Sequence, residues 1–260
     1  MKMIKKRHIG IVLLLIILIL FILLIFKNQI INKKEKYAWA YVKNTSHEQP
    51  VFDREYENIL KEYHGIFLGN SLSRNIYLTF DEGYENGCTE KILDVLKENQ
   101  VKVTFFVTGP YVMKNPELVQ RMIDEGHIIG NHTMNHKSMA TLSNKEIEQE
   151  VMEVHNLVYE KFGYEMKYLR PPMGEFNEES VKYCSLLGYR TVMWSFAYDD
   201  WNVDNQGREE YAKNKILNNV HKGGVILLHA VSKDNANVLD DCIKEMRKMG
   251  YRFESLDNFK

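Results

Sequence analysis

Two adjacent carboxylates, Asp81 and Glu82, stand at the end of an apolar, β-rich run typical of a buried strand, residues 76–80. A glycine follows and allows a tight turn, and Thr89 is the predicted N-cap of an amphipathic helical pattern that ends at Lys97. The carboxyl ends of buried strands are where α/β proteins build their sites, and a carboxylate there can act as a general base or bind a metal ion. The alternative is a solvated acidic turn, which is also common after strands.

His132 and His136 are four residues apart, so on a helical turn both imidazoles point to one side and can share a metal ion. The sequence contains nine histidines, and such a pair also arises by chance in a chain of this length. Together with the two carboxylates, however, the pair favours a site for a divalent metal ion.

Arg170, Asp200 and His229 each follow another segment with a strand pattern, as Asp81 and His132 do. Because parallel strands in a barrel end on the same side, we expect these five side chains to meet at one site. For Arg170 a structural salt bridge is the alternative, and it is compatible with a role in the site.

Strand and helix patterns alternate along the chain from residue 75 onwards. Strand-like runs at 102–107, 127–130, 189–195 and 225–228 are separated by helical patterns. This alternation predicts parallel βαβ units in one α/β domain. The order of elements alone does not distinguish an open sheet from a barrel.

Residues 9–26 form an unbroken run without a polar side chain. As a helix this run spans about 27 Å, close to the ~30 Å hydrocarbon core of a bilayer. Basic residues lie on both sides, and no small-x-small cleavage site follows. We expect an uncleaved single-pass anchor with the rest of the chain outside the cell membrane, and a cleaved, secreted form is the alternative. The predicted divisions are 1–27 for the cytoplasmic stub and anchor, 28–64 for a stalk and N-terminal segment, and 65–260 for the folded domain.

The formal charge of the 260-residue chain is −1, but it is unevenly distributed. Residues 1–36 hold eight Lys and Arg and one acidic residue, which leaves 26 basic and 34 acidic residues beyond, a formal charge of −8. An acidic domain argues against nucleic acid as a partner, and no feature of the sequence indicates a protein partner. The three cysteines are too few and too scattered for a disulfide framework or a thiolate metal site.

Five short motifs between residues 74 and 257 stand in a fixed order along the chain. They are Thr79-Phe-Asp-Glu-Gly83, His132-Thr-Met-Asn-His136, Arg170-Pro-Pro-Met-Gly174, Asp200-Trp201 and Leu227-Leu-His229. In this order they resemble the motifs of the NodB-like polysaccharide deacetylases, carbohydrate esterase family four. The longer stretches 81–87 and 229–236 are similar to the branch of that family that makes muramic δ-lactam in spore peptidoglycan.

The resemblance implies a NodB-type distorted (β/α) barrel over residues 65–260, usually with seven strands, preceded here by the transmembrane helix. It also implies a divalent metal ion held by Glu82, His132 and His136. Zinc is the expected metal, with cobalt or manganese as alternatives. The family commonly has Asp where this sequence has Glu82, so this ligand is one methylene longer.

By the same resemblance, Asp81 is the general base that accepts a proton from the attacking water, and Arg170 orients it. His229 is the general acid that protonates the leaving amine. Asp200 matches the partner that keeps this histidine charged.

The resemblance assigns stabilisation of the oxyanion to the metal ion together with a backbone N–H group, that of Met173, which follows two stiffening prolines. Trp201 and Leu227 match residues that line the acetyl pocket. For Leu227, packing in the hydrophobic core is the alternative.

The function implied by the resemblance is a metal-dependent de-N-acetylase that acts on N-acetylmuramic acid in peptidoglycan, in the δ-lactam pathway of the spore cortex. The alternatives are a peptidoglycan N-acetylglucosamine deacetylase and an inactive, membrane-tethered carbohydrate-binding protein. A glycoside hydrolase needs two carboxylates that flank one bond. Asp81 and Glu82 are adjacent on a strand and point apart, which argues against that reaction.

Overall fold

The structure is a computed structural model that describes residues 17–19, 21, 35–43 and 47–259. Contacts between residues divide the chain into two units, Met1–Lys36 and Tyr37–Lys260. Most of the predicted membrane anchor, residues 9–26, lies outside the described residues. In the ranges that are described, no helix combines the length and the apolar character that a membrane span requires.

The second unit is built on a curled sheet. In chain order its strands and the short strands beside it are β1 (Tyr37–Ala38), β2 (Tyr41–Val42), β3 (Val51–Phe52), β4 (Asn75–Glu82), β5 (Thr104–Val107), β6 (Ile128–Asn131), β7 (Tyr168–Leu169), β8 (Glu175–Phe176), β9 (Arg190–Thr191), β10 (Gly224–His229) and β11 (Arg252–Phe253). Seven of the described strands form one parallel sheet in the order β10-β4-β5-β6-β7-β9, with β11 paired to β4. The predicted parallel α/β fold is confirmed.

The segment predicted as a strand over 189–195 differs in the structure, since only β9 is regular. The chain then crosses towards β10, where Ser195 N donates to Val225 O at 2.8 Å and Leu227 N donates to Phe196 O at 2.9 Å. These bonds link the two ends of the strand order and curl the sheet into a half-barrel. The barrel prediction is confirmed in this distorted form.

Helices cover the outside of the sheet. They are α1 (Arg54–Glu62), α2 (Thr89–Glu98), α3 (Gly109–Lys114), α4 (Pro116–Asp124), α5 (Asn144–Phe162), α6 (Glu178–Leu186), α7 (Glu209–Asn219) and α8 (Lys233–Lys248). The longest, α5, begins with a capping box between Ser143 and Glu146 and ends at Gly163, whose φ is +63°. The apolar faces of the helices from α2 onwards pack on β4, β5, β6 and β10 and form the main hydrophobic core, whereas Ile59 and Leu60 of α1 pack in a second cluster.

The segment that precedes β4 is part of the compact unit. Residues 37–42, which we call the N-terminal arm, include β1, which pairs antiparallel with β8, and β2, which pairs with β3. The arm packs in an aromatic cluster that comprises Tyr37, Trp39, Tyr41, Phe52, Tyr56, Phe67, Phe176 and Trp194. The compact unit therefore begins at Tyr37, inside the range 28–64 that the sequence predicted as a stalk and N-terminal segment. The sequence around this segment is polar and lysine-rich, so its composition is typical of a stalk. The contacts with the compact unit are made by the aromatic residues at alternate positions of the arm.

Candidate active site

A cavity of about 850 Å³ opens where β4, β6 and β10 end. Most of the residues predicted for the site line it, namely Asp81, His132, His136, Met173, Trp201, Leu227 and His229. Arg170 and Asp200 are buried behind the wall and contact lining residues. Glu82 is the exception, because it is buried and does not line the cavity.

Asp81 forms a buried ion pair with Arg170. The guanidinium Nη1 lies 2.6 Å from Asp81 Oδ1, and Nη2 donates to Thr79 Oγ1 at 2.8 Å. The guanidinium also packs on the ring of Phe106, 4.2 Å from its centroid. Burial alone would raise the pKa of Asp81, but the charge and hydrogen bond of Arg170, together with the charges of His132 and His229, outweigh it and the pKa is lowered. Asp81 is therefore a carboxylate with a fixed direction.

Asp81 and His229 are register partners on neighbouring parallel strands, β4 and β10. Side chains at paired positions point to the same face of a sheet, and both line the cavity. This register brings a carboxylate and an imidazole from distant parts of the chain to one site.

His229 is held by Asp200. The imidazole Nδ1 lies 2.7 Å from Asp200 Oδ1, and the backbone N–H of His229 donates to Oδ2 at 2.8 Å. Asn235 also donates to Oδ2, at 2.6 Å, and its amide oxygen accepts from Tyr198. Burial lowers the pKa of His229, but the charge and hydrogen bond of Asp200, together with the charge of Asp81, outweigh it and the pKa is raised. Asn235 was not among the residues predicted for the site from the sequence, so its contact with Asp200 was missed.

His132 and His136 come together on a loop after β6, not on the helical turn that their spacing suggested. Thr133 and His136 have φ values of +67° and +55°, which turn the chain back on itself. The two ring centroids are 4.8 Å apart. His132 Nδ1 lies 2.9 Å from Arg170 O, and Nε2 lies 3.4 Å from Asp81 Oδ2. Burial lowers the pKa of His132 to about 4, which keeps this imidazole neutral.

The Pro171-Pro172 segment ends in a tight turn. Met173 has φ +59°, in the left-handed region that non-glycine residues rarely adopt, and Gly174 follows with φ +65°. Gly174 N donates to Pro171 O at 3.1 Å. Met173 lines the cavity, and about half of its surface is exposed.

Aromatic side chains form much of the remaining wall. Trp201 is 59% exposed at the edge of the cavity, and Leu227 is buried in its floor. The structure adds Tyr84, Trp194 and Tyr198, which sequence reasoning did not single out. In the sequence these three residues look like ordinary apolar positions. Only the curl of the sheet shows that they line the cavity.

The predicted metal triad is not assembled. Glu82 is fully buried away from the cavity, where Oε1 lies 3.4 Å from Thr89 Oγ1, and Oε2 has no hydrogen-bond partner among the described residues. Burial and the nearby charge of Glu85 raise the pKa of Glu82 well above its usual range. Within the part of the chain that the structure describes, no three His, Cys, Asp or Glu side chains are grouped to hold a metal ion. The residues therefore do not fit the predicted three-ligand site, because strand alternation turns Glu82 away from the histidines.

Residues 69–192 match the family described as polysaccharide deacetylase. The chain is 44% identical over 225 residues to the peptidoglycan-N-acetylmuramic acid deacetylase PdaA of Bacillus subtilis, covering 86% of each protein. It is 33% identical over 201 residues to a peptidoglycan-N-acetylglucosamine deacetylase of Bacillus cereus, covering 76% of this chain and 72% of that protein. The solved structure of B. subtilis PdaA, a family 4 carbohydrate esterase, is similar with a TM-score of 0.85 and 43% identity, covering 87% of this chain and 97% of that one.

Proposed function

Because this chain belongs to the polysaccharide deacetylase family, carbohydrate esterase family 4, and is an amide hydrolase, we propose that it deacetylates N-acetylmuramic acid in peptidoglycan. The main support for the catalytic activity is that Asp81 and His229 are paired residues of neighbouring strands. One strand pair presents an ionised carboxylate and a histidine with a raised pKa to the same cavity. A base and an acid with opposed pKa shifts are what amide hydrolysis requires.

Asp81 is the general base in this proposal. Its carboxylate is ionised because Arg170 compensates its burial, and the same contact fixes its orientation. It accepts a proton from a water molecule as the oxygen of that water attacks the acetamide carbonyl carbon. His132 Nε2, 3.4 Å from Asp81 Oδ2, is neutral and can accept a hydrogen bond from the same water.

The tetrahedral intermediate then carries a negative charge on the former carbonyl oxygen. We assign its donor to the backbone N–H of Met173, in the turn that borders the cavity. When the C–N bond breaks, protonated His229 gives its proton to the leaving sugar nitrogen, and Asp200 stabilises the imidazolium beforehand. The products are acetate and a free amine.

Deacetylases of this family are generally metal-dependent, and a divalent ion would polarise the carbonyl and activate the water. In this chain only His132 and His136 of the three predicted ligands line the cavity. The proposed mechanism therefore has no step through a metal ion. Zinc, cobalt or manganese dependence stays a prediction for elemental analysis of the purified protein.

The choice of sugar rests on similarity to PdaA and on the stretches 81–87 and 229–236. Removal of the acetyl group from muramic acid frees an amine beside the lactyl carboxyl, and their condensation gives the six-membered δ-lactam of the spore cortex. Among the described residues that line the cavity there is no Lys or Arg. The nearest basic residue to the second of these stretches, Lys233, begins α8 and does not line the cavity. Recognition of that carboxylate would therefore use neutral hydrogen-bond donors.

To test this, glycan strands from which the stem peptides have been removed are digested with the purified full-length protein. Released acetate and new reducing ends are measured together, and the fragments are analysed by mass spectrometry. We expect acetate release, no reducing ends, and acetyl loss from muramic residues. Acetyl loss confined to glucosamine residues would favour the activity of the Bacillus cereus relative. Absence of both products would favour the inactive carbohydrate-binding alternative.

We propose further that the chain is anchored in the cell membrane by residues 9–26, with the deacetylase domain outside. The support is the length and composition of that run. The intact protein should fractionate with membranes, and protease added to intact protoplasts should digest the domain. N-terminal sequencing of a form that lacks residues 1 to about 30 would establish cleavage and secretion instead.

A further inference from the structure

We propose that the N-terminal arm, residues 37–42, is a positioning element of the active site that holds two of the cavity walls in place. One wall is the turn that carries Met173, and the other is the segment 194–198. The proposal rests on the proposed function, because it concerns the N–H group assigned to the oxyanion. The arm precedes all five motifs in the sequence and contains no residue that lines the cavity.

Trp39 holds the Met173 turn from behind. Its backbone N–H donates to Gly174 O at 2.9 Å. The two residues are also in close contact, since a Cβ added to Gly174 would lie 3.0 Å from Trp39 Cβ and 2.7 Å from Trp194 Cη2. Gly174 is thus enclosed between two tryptophans, one from the arm and one from the cavity wall.

The turn needs such support. Met173 is a non-glycine residue with φ +59°, a strained conformation that persists only where its surroundings determine it. The exposed side chain of Met173 offers little packing of its own, because about half of its surface is in solvent. The contacts that fix the turn are therefore those of its neighbour Gly174 with Trp39 and Trp194.

The arm reaches the second wall through two side-chain hydrogen bonds. Trp39 Nε1 donates to Trp194 O at 2.7 Å, and the Tyr41 hydroxyl accepts from Ala197 N at 2.9 Å. Trp194 and Ala197 both line the cavity, and Tyr198 and Trp201 follow on the same segment. Ser195 and Phe196 in the middle of this segment are bonded to β10, whereas Trp194 and Ala197 on either side of them are bonded to the arm.

The two cavity walls that the arm contacts should affect different kinetic parameters. An oxyanion donor acts only within hydrogen-bond distance of the developing charge, so a displaced Met173 N–H would slow turnover more than it would weaken binding. Sugar bound in the cavity would contact the Ala197 wall equally in the ground state and in the transition state. Loosening that wall would weaken binding and leave turnover nearly unchanged.

The test compares three variants of the full-length protein. Trp39→Leu removes the indole bond to Trp194 O and the ring that anchors Trp39 in the aromatic cluster, and it keeps the backbone N–H and the Cβ beside Gly174. Trp39→Phe restores an aromatic ring without the indole N–H. Tyr41→Phe removes only the hydroxyl that accepts from Ala197 N. The matched control is Phe52→Leu, because Phe52 packs against Trp39 and Tyr41 in the same aromatic cluster but does not line the cavity. Steady-state kinetics on stripped glycan strands and thermal unfolding are measured for all of them.

We expect kcat to fall about tenfold in Trp39→Leu, since the oxyanion donor is displaced but still present. KM should also rise about threefold in this variant, because the bond to Trp194 O on the second wall is lost. Trp39→Phe should recover part of kcat. Tyr41→Phe should raise KM about threefold with kcat unchanged. Phe52→Leu should lower the unfolding temperature as Trp39→Leu does, with kcat retained.

Equal kcat values for Trp39→Leu and Phe52→Leu at matched loss of unfolding temperature would overturn the positioning role. The positioning role is also overturned if Tyr41→Phe leaves KM unchanged and Trp39→Leu leaves kcat unchanged. A wild-type protein that releases no acetate from any glycan overturns the proposed function instead, so the two failures are distinguishable.

Discussion

Asp81 and Glu82 are consecutive residues of β4, and their carboxylates point to opposite sides of the strand. Asp81 faces the cavity and pairs with Arg170, whereas Glu82 faces the helices and approaches Thr89 at the start of α2. The alternation of a strand makes this separation unavoidable unless the strand is broken between them. Two acids that look like one catalytic pair in the sequence therefore have unrelated environments.

Replacing Glu82 with Gln should leave activity nearly unchanged. Burial and the charge of Glu85 raise the pKa of Glu82 well above its usual range, which favours the neutral side chain, and Gln is neutral with a similar shape. We expect acetate release within about threefold of wild type, whereas loss of a true metal ligand or its support costs roughly 10–100-fold or more. His132→Ala is the comparison variant, since it removes a residue that does line the cavity. Loss of both activity and bound metal in Glu82→Gln would return Glu82 to the metal site.

The same variant should change how stability depends on pH. Glu82 has a folded-state pKa above its unfolded value, so its contribution to stability is fully present below the unfolded pKa of about 4.3. That contribution is lost as pH rises through the higher folded-state pKa. Glu82→Gln does not titrate, so its unfolding temperature should fall less than that of wild type between about pH 5 and pH 8. Parallel curves for the two proteins would show that Glu82 is not protonated in the fold.

Asp81→Asn should abolish most of the activity and also destabilise the fold. Loss of one general base typically costs roughly 10²–10⁴ in rate. The amide leaves Arg170 fully buried without its counter-charge, and breaking such a pair costs about 3–5 kcal/mol. Acetate release and thermal unfolding measure the two effects separately. Asp94→Asn is the control, because Asp94 pairs with Arg121 on the exposed side of α2.

Asp200→Asn should move the alkaline limb of the activity profile to lower pH. His229 must be protonated to act as the acid, so activity falls as pH rises through its pKa. Asp200 keeps that pKa above the ordinary value near 6.5, and without the charge the effect of burial lowers it. The neighbouring variant Asp199→Asn is the control, since Asp199 is exposed and bonded to Tyr211. An unchanged alkaline limb in Asp200→Asn would remove His229 from the role of acid.

Trp201→Ala should weaken substrate binding with little effect on turnover. The indole is 59% exposed at the cavity edge, where a sugar ring can pack on its face. Loss of such a contact removes binding that is equal in the ground and transition states, so KM should rise about tenfold at constant kcat. Tyr211→Ala, a partly exposed aromatic outside the cavity, is the control. A fall in kcat at constant KM would assign Trp201 to the reaction itself.

The fold was predictable from the sequence where periodicity determines the structure. The apolar run that becomes β4 and its neighbours have the pattern of parallel strands, and Asp81, His132 and His229 follow them as expected. Because these strands are parallel and paired in register, their carboxyl ends lie side by side, and the residues that follow them meet at one site. The spacing of His132 and His136 also indicated the right association, although a loop with two left-handed residues brings them together, not a helix.

The sequence was less informative where side-chain direction or distant packing decides the outcome. Glu82 was grouped with the histidines by resemblance, although strand alternation already turns it away. Thr89 was predicted as the cap of α2, but Glu85 accepts the N–H groups there. The N-terminal arm has only two-residue strands, whose contacts with β8 and the Met173 turn lie far along the chain, so no local pattern reveals them.

The pairing of β11 with the first residues of β4 has a consequence for the order of folding. Asn75 and Ile76 pair with Arg252 and Phe253, so the strand that carries Asp81 gains one of its neighbours from a segment more than 170 residues further along the chain. Parallel pairings of such high sequence separation close slowly, because a long loop must be ordered before they form. The domain cannot complete its central strand until β11 has left the ribosome. We therefore expect the pairing at the first residues of β4 to form late in folding, after the pairings of β4 with β5.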